Sequence, residues 1–233
     1  MNPMKRNYAM LWAAVAGLFV SCSQIEIPDG EQLGQEIIQT VSQNQEVEDT
    51  LLGKCYSAYR ATMDASSLVD RAYSELLQKA KEDADNETYQ KAADQRMIAR
   101  RIVGESHFDR LWAEAAEALA NQPVPCSVQA PVTSAEVCIE PPKVENGRVK
   151  SVKIGFHIAM KVSGKIEPGK FKITIYDKAG NVLTEEPIGP DNIYSPTGMK
   201  FTKEGITTFE APIYDIHAMD RVEIGPRQRT AAR

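Results

Sequence analysis

Val152-Lys153-Ile154-Gly155-Phe156-His157-Ile158-Ala159-Met160-Lys161-Val162 is the stretch on which the reading of the fold turns. Apolar residues hold every even position, and the odd ones carry small, basic or imidazole side chains. A period of two over eleven residues predicts a β-strand with one buried and one wet face. Phe171, Ile173 and Ile175 repeat the pattern, and Asp177-Lys178-Ala179-Gly180-Asn181 predicts a hairpin turn into Val182 and Leu183. Further strand-like runs cover 199–203, 206–211 and 222–224, punctuated by Pro187, Pro190, Pro196 and Pro212. Short strands of this kind predict an antiparallel, immunoglobulin-like β-sandwich over 139–226, followed by a disordered tail at 227–233.

Upstream of Pro123 the period changes. Leu33, Ile37 and Val41, then Val47, Leu51, Cys55, Tyr59 and Met63, recur at three and four, the spacing of an amphipathic helix. A break is expected at Asp64-Ala65-Ser66-Ser67, where Ser67 and Asp70 resemble a capping box. The next helix carries Leu68, Val69, Ala72, Tyr73, Leu76, Leu77 and Ala80, and a turn is expected over 83–86. A third helix runs from Glu87 through Ile102, with an interruption at Gly104-Glu105-Ser106 and recapping by Ser106 into Phe108, Leu111, Trp112 and Leu119. No proline lies between Pro28 and Pro123, as helix interiors require. The expected fold class is therefore α+β. A bundle of three or four helices fills 33–121, a linker 122–138, and the β-sandwich follows.

The two halves also differ in charge. Residues 22–121 hold 10 Lys/Arg against 19 Asp/Glu, whereas 122–233 hold 15 against 13. An overall net charge of −5 gives no general attraction to nucleic acid, so no nucleic-acid partner is expected.

The N-terminus reads as an address. Lys5 and Arg6 precede an uncharged, mostly apolar run from Tyr8 to Val20, too short for a comfortable membrane span and suited to a secretory signal peptide. Phe19-Val20-Ser21-Cys22 follows, and it resembles the lipobox of bacterial lipoprotein precursors. The resemblance covers residues 1–23. It implies cleavage after Ser21 and acylation of Cys22, leaving 22–32 as a lipidated tether. Anchoring by more than one acyl chain is stable where a single chain is marginal. Ser23 is not the aspartate that the family associates with inner-membrane retention, so the expected partner is the outer membrane, through the lipid anchor. Ordinary secretion with cleavage after Ser23 is the alternative.

Export places the remaining cysteines, Cys55, Cys126 and Cys138, in an oxidising compartment. A Cys126–Cys138 bridge is the favoured pairing, and a bridge from Cys55 would instead staple the helical half to the junction. Cys55 lies in an apolar helical stripe and reads as a buried structural thiol. Strand alternation brings Lys153, His157, Lys161 and Lys172, with Tyr176, to the outward side of two strands taken as neighbours. Such a face suits an anionic glycan or lipid headgroup, or the acidic helices of the same chain, or plain solvent. Arg96, Arg100, Arg101 and Arg110 form a basic island suited to an anion or to local pairing with Asp94, Glu105 and Glu114.

His107, His157 and His217 are isolated, and no metal-ligand spacing, phosphate loop or nucleophile elbow occurs. No catalytic residue, metal or cofactor is assigned. The expected function is binding or scaffolding toward an envelope protein or glycan. A glycan-directed hydrolase with its site between the halves is the alternative.

Overall fold

The computed structural model describes residues 26–164, 169–188, 193–194 and 204–227. The leader, Cys22, the expected strand at 199–203 and the tail at 228–233 lie outside the described residues.

Among the described residues four helices build the N-terminal half: α1 (Gly30–Asn44), α2 (Leu51–Glu82), α3 (Asn86–Val103) and α4 (Asp109–Glu117). Three begin on a side-chain cap that satisfies otherwise orphaned N–H groups. The Asp29 carboxylate accepts from the N–H of Glu31 and of Gln32, Thr50 Oγ1 accepts from Gly53 N–H, and Asp85 accepts from Thr88 N–H. α1 and α3 each run antiparallel to α2. Tyr73 Oη donates to the Pro28 carbonyl while Ser57 Oγ donates to that of Glu46, and Arg100 of α3 reaches Asp70 of α2. Tyr73 and Phe108 are the largest fully buried side chains of this bundle core.

Of the two expected interruptions one does not occur, and the other takes a different form. α2 is one helix of 32 residues, because Ala61, Ala65 and Val69 carry its buried stripe through the polar stretch. Asp64, Ser66 and Ser67 simply take the remaining positions, so Ser67 caps nothing. At Gly104 the chain passes into a single π turn, Gly104–Phe108, in which Asp109 N–H reaches back to the Gly104 carbonyl. The helix continues into α4 with no side-chain cap, so no restart at Ser106 is needed.

Among the described residues eleven strands form the C-terminal half. They are β1 (Pro123–Val124), β2 (Cys126–Val128), β3 (Val132–Glu140), β4 (Val144–Glu145), β5 (Arg148–Val149), β6 (Lys153–Val162), β7 (Phe171–Asp177), β8 (Val182–Pro187), β9 (Ile193–Tyr194), β10 (Glu204–Pro212) and β11 (Met219–Pro226). A five-stranded antiparallel sheet has the order β1-β3-β6-β10-β9. A four-stranded sheet has the order β2-β11-β7-β8, and its β2–β11 pair is parallel, so this sheet is mixed rather than purely antiparallel. The expected linker at 122–138 is thus largely strand. β1 lies at the edge of one sheet and β2 at the edge of the other, where prolines at 123 and 125 cost no central ladder bond.

The deciding alternation is realised in β6, which buries Ile154, Phe156, Ile158, Met160 and Val162. One buried cluster gathers these with Ile173, Ile175, Val222 and Ile224 of the other sheet, with Leu52, Cys55, Ala58, Trp112 and Ala116 of the helices, and with Leu119 of the turn after α4. A short helix, α5 (Ile213–Ile216), connects β10 to β11 and packs on α2.

Candidate functional site

Cys126 leans against the shared core from β2, whereas Cys138 of β3 sits between buried Val137 and Ile139 and so points to the opposite face of its strand. Cys55, Cys126 and Cys138 are free thiols. Burial pushes the thiols of Cys55 and Cys126 up to about 11, which leaves them poor nucleophiles. Cys55 is fully buried, and the neighbouring Trp112 indole works against that burial without outweighing it.

A pH dependence follows. The native state holds the Cys55 proton up to about 11, against an ordinary thiol value of 9.0, so the unfolded chain gives that proton up first. Its contribution is fully present below pH 9 and is lost as pH climbs toward 11. At ~1.4 kcal/mol per unit this amounts to about 2–3 kcal/mol. Tyr73, pushed up to about 12 by burial and by the nearby Asp29 charge, acts in the same direction at higher pH. The urea midpoint is expected to fall between pH 8.5 and 10.5, and to fall less in Cys55→Ala. A midpoint insensitive to pH over that range would contradict the buried-thiol assignment.

The basic face expected on the sheets is divided. Lys153, His157 and Lys161 share the outward face of β6, but Lys172 is on β7, which belongs to the other sheet. The chain crosses between sheets after β6, so β6 and β7 are not neighbours and their outward faces are not continuous. Lys153 pairs with Glu210 at 3.6 Å, His157 with Glu140 at 3.7 Å, and Lys172 with Glu185. Tyr176 is covered by the Arg221 guanidinium, 4.7 Å from its ring centre. Lys161 alone of the four basic residues has no ion pair among the described residues.

A different basic constellation does converge. The last turns of α3, the π turn and the β4–β5 hairpin enclose an open cleft of about 380 Å³ lined by Met97, Ile98, Arg100, Arg101, Glu105 and Arg148. Arg100 grips Asp70 with two N–H groups, Nε at 2.8 Å and Nη2 at 2.5 Å. Arg148 pairs with Glu105 and lies 3.3 Å from Asp109. The π turn brings both carboxylates to one guanidinium. Burial raises the Asp109 pKa, and the Glu105 charge adds to the rise, while Arg148 opposes it. Among the described residues Arg101 meets no carboxylate. Arg110 pairs locally with Glu114 at 3.6 Å, as the sequence suggested, and takes no part in the cleft. The placement of Arg148 has a local signal in the sequence. Asn146-Gly147, both at positive φ, is the two-residue turn favoured in tight hairpins and presents Arg148 just after it.

A second polar cluster joins the halves. His217, just after α5, places Nδ1 3.0 Å from Glu48 Oε1 and stacks on Tyr56 with ring centres 3.9 Å apart. Tyr59 continues the aromatic series to Trp112 at 5.1 Å. Ser57 Oγ donates to the Glu46 carbonyl and accepts from Glu48 N–H, so its hydroxyl is committed to the loop before α2.

Asp177 does what a turn residue does. Its carboxylate accepts from Asn181 N–H and Nδ2, and Gly180 takes φ +86°. Among the described residues no group of three His, Cys, Asp or Glu side chains is placed to hold a metal, and no helix is long and apolar enough to cross a membrane. The chain matches no protein-family model, no curated protein and no solved structure.

Proposed function

We propose that the chain is a lipid-anchored protein of the bacterial cell envelope, held at the outer membrane through Cys22, with a binding or scaffolding role toward a protein or glycan partner. In this reading the two sheets form an immunoglobulin-like sandwich, and the helical bundle is the stalk on which it stands. The carrying observation is where the bundle's two ends are used. Its entry point, Pro28 and Asp29, is fastened beside Tyr73, whereas Leu52, Cys55 and Ala58 belong to the cluster shared with the sheets. Cys55 and Tyr73 are 18 residues apart on one helix. That is about 27 Å at ~1.5 Å per residue. An anchor just upstream of α1 would therefore hold the β-rich half away from the lipid surface.

Palmitate labelling of cells expressing wild type and Cys22→Ala tests the anchor, and pull-down from envelope membranes with the same pair identifies the partner. Label is expected on the wild type alone, with the variant lost from the membrane fraction. Equal labelling of both chains, or a cytosolic protein that keeps its leader, would overturn the proposal.

The second reading, a glycan-directed hydrolase working between the halves, has the Glu48–His217 pair in its favour. An imidazole held by a carboxylate is a recognised proton acceptor. The imidazole is, however, held between the Glu48 carboxylate and the ring of Tyr56. Turnover of envelope glycans that is abolished by His217→Gln would establish it.

A further inference from the structure

The cleft between α3 and the β4–β5 hairpin is unused by the stalk-and-sandwich reading, and it has the parts of a ligand site. Its volume lies within the range of small-molecule pockets, roughly 300–1,000 Å³, and it opens where two portions of the chain meet, a usual place for such sites. Its charge is arranged rather than merely abundant. Asp70 orients Arg100 through Nε and Nη2, which leaves Nη1 outside that pair. Glu105 and Asp109 together hold Arg148 across the cleft. Arg101 stands next to Arg100 as the guanidinium with no carboxylate among the described residues. Guanidinium groups fit carboxylate and phosphate oxygens in pairs, and their donors lie in a fixed plane. Beside these cations Met97 keeps 59% of its surface exposed, and Ile98 is half-buried. An unbranched thioether of this sort adapts to varied apolar surfaces.

The geometry points to a binding site for a small amphipathic anion, a carboxylate or phosphate ester bearing a short apolar chain. Its oxygens are taken by Arg101 and the free side of Arg100, and its chain lies against Met97 and Ile98. The six charged groups in and behind the cleft, Arg100, Arg101, Arg148, Asp70, Glu105 and Asp109, sum to zero. Affinity therefore rests on local placement at Arg101 and on apolar burial, not on a general positive field. The site does not depend on whether Cys22 is acylated.

The test is titration of the purified full chain, by calorimetry, with acetate, hexanoate, inorganic phosphate and hexyl phosphate. Saturable binding of hexanoate or hexyl phosphate is expected, at least tenfold tighter than that of acetate or inorganic phosphate, and the tighter of the two names the headgroup. Arg101→Gln, an exposed substitution with an expected unchanged melting temperature, should weaken that binding about tenfold or more, a difference of ~1.4 kcal/mol. Arg110→Gln should leave it intact. Three results would overturn the site: no saturable binding by any of the four, equal binding with and without the apolar chain, or equal behaviour of the two arginine variants.

Discussion

Phe156→Ala is expected to lower the unfolding free energy by about 3–5 kcal/mol, the range for removing a large aromatic from a close-packed core. Phe156 is fully buried at the middle of β6, itself the central strand of the five-stranded sheet. Phe209 stands directly opposite it on β10, with ring centres 4.4 Å apart and planes inclined by 6°. Truncation leaves Phe209 facing a void as well as removing apolar area, so both losses add. Domains typically hold only 5–15 kcal/mol in reserve, so this one change removes a large share. Urea unfolding followed by fluorescence and circular dichroism measures it. A loss below 1 kcal/mol would mean that the sheet collapses around the gap or that the β6–β10 register is not the one described.

The second large effect reverses the usual sign of a glycine substitution. Gly→Ala inside a helix ordinarily stabilises by up to ~1 kcal/mol. Gly30 and Gly34, however, lie where α1 crosses closest to α3. A Cβ at Gly30 would fall well inside contact distance of the Gln95 backbone oxygen, and one at Gly34 would come to 2.9 Å from Ile102 Cγ2. A backbone oxygen cannot swing aside as a side chain can, so α1 itself must shift. That shift also strains the Gly30 N–H bond to Gln95 Oε1, 2.6 Å long. Gly30→Ala is expected to destabilise by about 3 kcal/mol, near the upper end for overpacked sites, and Gly34→Ala by less. Equal or raised stability of Gly30→Ala in chemical denaturation would show that α1 does not dock on α3 as described.

The α+β division was readable because the two halves keep different hydrophobic periods, and β6 was readable almost residue for residue. In sequence the α2 stripe reads as broken at 64–67 for a physical reason. There the core is made of Ala61 and Ala65, whose side chains carry little hydrophobic signal, while Asp64, Ser66 and Ser67 are the residues that usually mark caps. Alternation assigns a residue to a face but says nothing of which strand comes next in the sheet. By alternation alone Lys172 groups with Lys153, His157 and Lys161, although β7 belongs to the other sheet. Prolines at 123 and 125 suggested a linker because a sheet centre excludes them, yet edges tolerate them and both β1 and β2 are edges. The arginine cleft was half legible. Arg100 and Arg101 stood out as an island, but Arg148 arrives from a hairpin 47 positions beyond Arg101, and only the fold brings it there.

Leu52, Cys55, Ala58, Trp112, Ala116 and Leu119 share one apolar cluster with residues of both sheets. Severing the chain near residue 121 would leave two greasy stumps instead of two finished modules. The molecule should melt as a single cooperative unit. Anyone wishing to transplant its β-rich portion onto another carrier must take along the opening turns of α2 and the whole of α4 as its lid.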